Sequence, residues 1–413
     1  SRELVATGDY RMLDKIVKNR DEEKSADIKD KLTDLQTLLD EHSELQDIRS
    51  GIEEYLQKIS LQENDRENTV GFNFTAPEAV ELLKKISLSY GESPLSVDRN
   101  GLGRNNLLYI ALVLSHLAAE SYGSNYTFFR IVGIEEPESH LHPHLQDHLA
   151  KNIEAECRED MQLILTSHSA HITSKLDFNN THILFKDTDG SITEHPIAKN
   201  IEKDSKSERY LKKFLDATNS TMFFAKKLIL VEGISEQLLM PEFFECLTGE
   251  TLEKFGCNIV NVQGVSFRHF LEVIKNGYFI KCLVLTDKDS DQRRDDNYRA
   301  SKLIEEYNDF ESINIEVTDQ STFEKEIINA NKSGMEKIFL FDVLKKMRPI
   351  KGPQVEEATG ADDIDVERFF ASIEKYKSDF AFDLRDKLIN DKEAHFNIPD
   401  YITKGFKHIV NDG

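Results

Sequence analysis

Lys-Leu-Ile-Leu-Val-Glu-Gly-Ile-Ser-Glu, residues 227–236, is the stretch that decides the fold. A short apolar run ending in an acid and a glycine reads as a strand buried on both faces, followed at once by a helix. The same grammar returns at Cys282-Leu-Val-Leu-Thr-Asp-Lys-Asp289, where the apolar run ends in two spaced carboxylates. Between and after these lie alternating strand and helix patterns. Asn258–Val262 precedes Phe267–Ile274, Ala300–Tyr307 follows the second acidic run, and Ile313–Val317 precedes Phe323–Ala330. Strands alternating with helices imply a parallel sheet with crossover helices.

In such a sheet the C-terminal strand ends share one edge, where sites form. Glu232, Asp287 and Asp289 are therefore expected to converge. Glu236 lies one helical turn after Glu232, so both can face one point. Glu324 opens the helix after Ile313–Val317 and brings a further carboxylate to the same edge. Asp291 is a weaker addition. Hard oxygen donors without thiolate or imidazole suit Mg²⁺ or Mn²⁺, and two such ions can activate a water and stabilise the leaving oxygen of a phosphodiester. Lys377, before the apolar residues of 380–384, is the candidate to neutralise charge in the transition state, with Lys375 as its rival.

Moving upstream, residues 206–225 read as a connector built on a polar helix, Lys203–Ser220. Before it stands a second constellation. The apolar run 128–134 leads into Glu135-Glu136-Pro-Glu138, and the next strand, 162–165, leads into Thr-Ser-His168. Acids at the end of a buried strand are costly unless they hold a metal or a polarised water, which is the logic of a Walker B pair beside a switch histidine. Gly101 and Gly103 precede a helix, where backbone N–H groups can meet a phosphate. No Gly-x-x-x-x-Gly-Lys-Ser/Thr occurs in the 413 residues, so the β- and γ-phosphates lack their usual cradle. We expect ATP binding only together with an N-terminal lobe that these residues do not contain. The start at Ser1, without Met, fits the expectation of a piece of a longer parent.

The N-terminal residues 1–68 carry an apolar stripe, Leu13, Ile16, Val17, Ile28, Leu32, Leu35, Leu38 and Leu39, on an otherwise charged helical pattern. This reads as a helical arm that packs on itself or on a second copy. Four scattered cysteines without a Cys-x-x-Cys pair argue for reduced thiols in a cytoplasmic protein. No apolar run approaches the roughly 20 residues that span a membrane. The net charge of −23 excludes holding nucleic acid by bulk electrostatics. Contact with DNA must then be local or screened by bound cations.

A strand with Glu-Gly followed by a strand with Asp-x-Asp resembles the Toprim pattern, and Glu-Glu-Pro-Glu-Ser-His-Leu-His-Pro at 135–143 resembles ABC-type ATPases of the RecF and SMC kind. The order of helical arm, ATPase lobe, Val231-Glu-Gly-Ile-Ser-Glu236 and Leu285-Thr-Asp-x-Asp289 is similar to the OLD (overcoming lysogenization defect) endonucleases. The tail Phe396-Asn-Ile-Pro-Asp-Tyr-Ile402 reads the same way. The nuclease subunits of Gabija anti-phage systems, which work with a UvrD-like helicase, are similar too. The resemblance implies an α/β protein with a helical dimerisation arm (1–68), the C-terminal lobe of an ABC-type ATPase (69–205), a connector, a Toprim domain (226–345) and a helical C-terminal extension (346–413). It implies metal-dependent DNA cleavage through Glu232, Glu236, Asp287, Asp289 and Glu324, with Lys377 assisting. It also implies a homodimer and nucleotide control through Gly101, Gly103, Glu135, Glu136 and His168 in a full-length parent.

The competing reading is an SMC- or RecF-like DNA-binding or regulatory module whose Toprim site is inactive. A topoisomerase would need a tyrosine on a separate gate domain, whereas Tyr376 and Tyr401 lie in short helical surroundings. A primase would need a zinc module that these cysteines cannot build.

Overall fold

The computed structural model describes residues 34, 37–59, 69–73, 87–90, 95–96, 101–120, 129–155, 160–186, 189–199, 201, 205–215, 219–263, 267–275, 281–288, 297–391 and 395–411. A helix that the sequence pattern predicts at 76–86, all of the stripe before Leu38, Asp289 and Asp291 lie outside them. The chain divides into two compact units, 1–176 and 177–413, inside the span assigned above to one ATPase lobe.

In the first unit, strands β1 (Val70–Asn73), β2 (Ser87–Tyr90) and β3 (Leu95–Ser96) form an antiparallel sheet. A parallel pair, β4 (Arg130–Glu135) and β5 (Met161–Thr166), carries the Walker B-like acids. Helices α1 (Ser43–Ile59), α2 (Leu102–Glu120) and α3 (Pro143–Ala155) share one core with β1, built on Ile52, Leu56, Leu108, Ala111 and Leu149. A single turn, α4 (Ala170–Thr173), follows β5 and is capped by Ser169.

The sequence reads β4 and β5 as buried strands. The structure corrects this: exposure alternates along both, and Ile131 and Ile164 are exposed. An apolar run alone cannot tell a strand covered on one face from one covered on two.

The second unit opens with the antiparallel hairpin β6 (His182–Lys186) and β7 (Ile192–Pro196), turning at Asp189-Gly190, a pair of residues whose sequence itself predicts a turn. Helix α5 (Lys206–Phe214) follows. It is more than a connector, because Leu211 and Leu215 enter the core beside Phe223 and Phe270.

The centre is a four-stranded parallel sheet, in the order β11-β10-β8-β9. Its strands are β8 (Lys227–Val231), β9 (Cys257–Asn261), β10 (Lys281–Thr286) and β11 (Ile313–Val317). The crossovers are α6 (Ile234–Thr248), α7 (Arg268–Ile274) and α8 (Asn297–Tyr307), and α9 (Phe323–Ala330) follows β11. Helices α10 (Gly334–Met347), α11 (Lys351–Thr359), α12 (Val366–Ile373), α13 (Lys377–Asn390) and α14 (Asp400–Val410) complete the chain.

Every residue of β8 is buried, as a central parallel strand requires. Its side chains part by alternation. Leu228 and Leu230, with Cys282 and Val284 of β10, face α7, α5 and the hairpin. Ile229 and Val231, with Leu283 and Leu285, face α6, α13 and α14. Each fully buried Leu, Ile or Phe contributes about 1.5–3 kcal/mol, so the two-sided sheet is the rigid part that any site on its edge inherits.

Two lysines at strand starts hold the last helix. Lys227 Nζ donates to Ile409 O (2.9 Å) and Lys281 Nζ to Asn411 O, each a cation at a helix C-terminus, where the dipole favours it. Among the described residues no helix is long and apolar enough to cross a membrane. Cys246, Cys257 and Cys282 are unbridged.

Candidate metal and phosphodiester site

The acidic edge is built strand by strand. β8 ends at Val231, and Glu232 follows, half-buried, with an oxygen held from β10: Thr286 Oγ1 donates to Glu232 Oε1, as does Asp287 N at 3.2 Å. The parallel register that pairs Leu230 with Val284 puts Glu232 beside Thr286. Gly233 is extended and caps α6. A Cβ there would meet Glu236 Oε2 at 3.0 Å, so the glycine leaves room for the Glu236 carboxylate to fold back over the helix start.

Glu236 is 7% exposed and Glu324 4%. Glu324 sits in the first turn of α9, whose N-cap is Thr322. Lys377 Nζ, at the start of α13, stands 2.8 Å from Glu324 Oε2. The ammonium lies off the hydrogen-bonding directions of that oxygen, which has no hydrogen-bond partner although it is buried.

The charges of this cluster act on one another. Burial, then Glu236, Glu232 and Glu324, push the Asp287 carboxyl up to about 9, against a smaller opposing effect of Lys377. Burial, with Glu324 and Glu232, pushes Glu236 up to about 7. Buried Tyr401, in the first turn of α14, is raised well above its ordinary range by burial and by Glu236, Asp287, Glu326 and Glu324. Such shifts follow from burial and from carboxylates placed close together.

The structure thus brings together Glu232, Glu236, Asp287, Glu324 and Lys377. Asp289 lies outside the described residues, and Lys375 is exposed in the turn before α13. Among the described residues no three His, Cys, Asp or Glu side chains stand close enough to enclose a metal ion. The donor set itself, all carboxylate, fits a hard divalent cation. Sequence reasoning missed Thr286, Thr318 and Tyr401 as parts of this edge. The one available signal was that β10 and β11 both run into Thr-Asp, at 286–287 and 318–319.

The other acidic strand end has a different character. Glu135 ends β4 and Glu136 follows it, both exposed, and Glu136 N donates to Thr166 O (2.9 Å). Glu136 has φ of 43° and His140 of 65°, a strained turn for residues with a Cβ. His168 Nε2 lies 3.4 Å from Glu136 Oε1. Glu138 accepts from Ser167 Oγ (2.9 Å) and His168 N (2.6 Å), fixing the end of β5 against the turn. Gly101 is exposed before α2, and Gly103 is buried in its first turn. A Cβ at Gly103 would stand 2.4 Å from the His140 carbonyl oxygen, so close packing of the turn requires this glycine.

Comparison with known proteins agrees with this division. Residues 3–173 match the family described as an AAA ATPase domain. Residues 223–289 match the family described as "Overcoming lysogenization defect protein-like, TOPRIM domain". The chain is 26% identical to "Endonuclease GajA" of Bacillus cereus (strain HuB5-5), over 79% of this chain and 55% of that protein. It is 28% identical to "Old nuclease" of Escherichia phage P2, over 57% of this chain and 43% of that protein. The chain therefore spans about half the length of the curated relatives it matches. Among solved structures, the C-terminal region of the Burkholderia pseudomallei OLD protein is 27% identical, with a TM-score of 0.35 over 45% of this chain and 97% of that one. The resemblance carried by residues 135–143, 231–236 and 285–289 holds: an ATPase-type region precedes an OLD-like TOPRIM domain.

Proposed function

We propose that this chain, an AAA ATPase-type region joined to an OLD-like TOPRIM domain, is the nuclease-bearing part of a metal-dependent DNA endonuclease. One observation carries the reading. Glu236 at the start of α6, Asp287 at the end of β10 and Glu324 at the start of α9 lie close enough to act on one another's charge, and Lys377 pairs with Glu324. Such a cluster opposes folding, because buried like charges repel and burial disfavours each of them. Its retention is explained by a function that uses the charge. The printed names of two curated relatives, an endonuclease and a nuclease, support the same reaction class.

In this proposal Glu232, Glu236, Asp287, Asp289 and Glu324 hold Mg²⁺ or Mn²⁺. The chemistry such cations would supply there is activation of water and Lewis-acid stabilisation of the leaving oxygen of a phosphodiester. The chain's own contribution is placement. Thr286 and the Asp287 amide fix Glu232, Gly233 admits Glu236, and the N-terminus of α9 presents Glu324. Lys377 stays beside the phosphate and offsets negative charge as it develops. DNA is the substrate, approached locally, because a chain of net charge −23 repels a polyanion at long range. The ATPase region controls cleavage when a phosphate loop completes it. Residues 1–68 join two copies, and a UvrD-like helicase is a candidate partner in phage defence.

The direct test is supercoiled plasmid incubated with Mg²⁺ or Mn²⁺. Metal-dependent nicking is expected for the wild type and its loss for Asp287→Ala. Nicking that survives both Asp287→Ala and Glu232→Ala contradicts the assignment.

A further inference from the structure

At the end of β10 two successive backbone amides are taken by side chains from the strands on either side. The Asp287 amide donates to Glu232 Oε1, beyond β8, and the Lys288 amide donates to Thr318 Oγ1 (2.9 Å), the first residue beyond β11. In an uninterrupted parallel ladder Thr318 would give its N–H to Thr286 and receive the Lys288 N–H on its own carbonyl. The first of these bonds is present, Thr318 N to Thr286 O at 3.1 Å. The second is transferred from the carbonyl to the hydroxyl. Asp287 therefore leaves the ladder while still clamped from both sides.

The hydroxyl donates as well as accepts. Thr318 Oγ1 also donates to Gln320 O (2.7 Å), and Gln320 N donates to Glu326 Oε2 (2.6 Å) in the first turn of α9, the turn that carries Glu324. Thr318 is 2% exposed. An apolar residue of the same shape would fill its space, so packing alone does not call for the hydroxyl. One oxygen thus links the turn bearing Asp287 to the helix start bearing Glu324.

We propose that Thr318 is a positioning residue: its hydroxyl sets the separation of Asp287 and Glu324, and so the geometry in which the carboxylate cluster receives a divalent cation. The inference rests on the metal-site reading above and deepens it. Partners one shell out from a metal usually alter affinity by about 10- to 100-fold when removed.

The test uses the whole chain as wild type, Thr318→Val, Thr318→Ser and Asp287→Ala. Hydrogen exchange at residues 286–288 is followed without metal, and Mn²⁺ binding is measured by calorimetry. Thr318→Val is expected to speed exchange at Lys288 and raise the Mn²⁺ Kd by about 10- to 100-fold, with an unfolding midpoint close to wild type. Thr318→Ser, which keeps the oxygen, is expected to restore both. Should Thr318→Val fold poorly, Thr318→Ala removes the hydroxyl without the second methyl and is judged on the same two readouts. Wild-type exchange or wild-type Mn²⁺ affinity in the hydroxyl-free variant overturns the role given to Thr318, whatever the metal result elsewhere. A wild type without Mn²⁺ binding sensitive to Asp287→Ala overturns the metal reading itself, and the positioning role with it.

Discussion

The chain carries two acidic strand ends, and they are built oppositely. Glu135 and Glu136 end a strand whose sheet is covered on one face, and His168, 82% exposed in its side chain, meets Glu136 in solvent. Glu232 and Asp287 follow strands covered on both faces, with Glu236 one helical turn on, and the carboxyls of Glu236 and Asp287 are displaced to about 7 and about 9. The same sequence device, acids after an apolar run, gives a solvated pair in one place and a buried charge cluster in the other. Cover decides the difference: a two-sided sheet excludes the water that would otherwise screen the charges.

The sharpest way to break this comparison is Asp287→Asn. It is expected to lower metal-dependent nicking on the order of 10³-fold, a barrier increase of about 4 kcal/mol. Without metal at pH 8 it is expected to raise the unfolding midpoint, because it removes a carboxyl that resists ionising where it stands. A plasmid assay and a thermal melt on the same preparation read both. Lost activity with lowered stability would mean that Asp287 is a structural acid.

Lys377→Ala should come next, with activity down by about 10- to 100-fold. It should also destabilise the chain by about 1–2 kcal/mol, since the buried Glu324 loses its cation while the half-exposed lysine had part of its charge screened. Denaturant melts of the metal-free chain check the second figure.

Stability should also depend on pH in a direction set by the cluster. Glu236 and Asp287 hold protons in the folded chain at pH values where the unfolded chain, with ordinary carboxyls at 4.5 and 3.8, has released them. The folded state therefore binds more protons, and metal-free stability should fall as pH rises from about 4.5 towards about 9. Both groups ionise when they bind a cation, so saturating Mn²⁺ should flatten or reverse that slope. A metal-free stability that rises across this window would contradict the assignment of these groups as buried acids. The smallest effect belongs to the other strand end, where Glu136→Gln or His168→Ala should shift stability by no more than about 0.5 kcal/mol.

Much of the second unit was legible in the sequence. β11 at Ile313–Val317 and α9 at Phe323–Ala330 fall where the pattern puts them, and β8 and β10 within a residue or so. Uninterrupted apolar runs bounded by Glu-Gly and Thr-Asp leave little choice. The placing of Glu232 and Asp287 on one sheet edge, with Glu236 a turn further on, was legible because strand-end position follows from topology alone. The one-sided cover of β4 and β5 was not, since exposure depends on what packs opposite. Nor was the packing of α5 against the sheet, where a polar helix hides Leu211 on one side and Leu215 at its end. Thr318 was invisible for another reason: a hydroxyl that replaces a carbonyl in a ladder leaves no periodic trace, and only the repeated Thr-Asp at 286–287 and 318–319 hinted that both strand ends close in the same way.

The central claim is that the carboxylates beyond β8, β10 and β11 form a divalent-cation site. It is met most directly by anomalous scattering from crystals of the chain soaked in Mn²⁺. The account predicts one or two Mn²⁺ peaks bonded to oxygens of Glu232, Asp287 and the neighbouring carboxylates, and none in Asp287→Ala crystals. A fully soaked wild-type crystal with no peak among these carboxylates, or with peaks unchanged in Asp287→Ala, would contradict it.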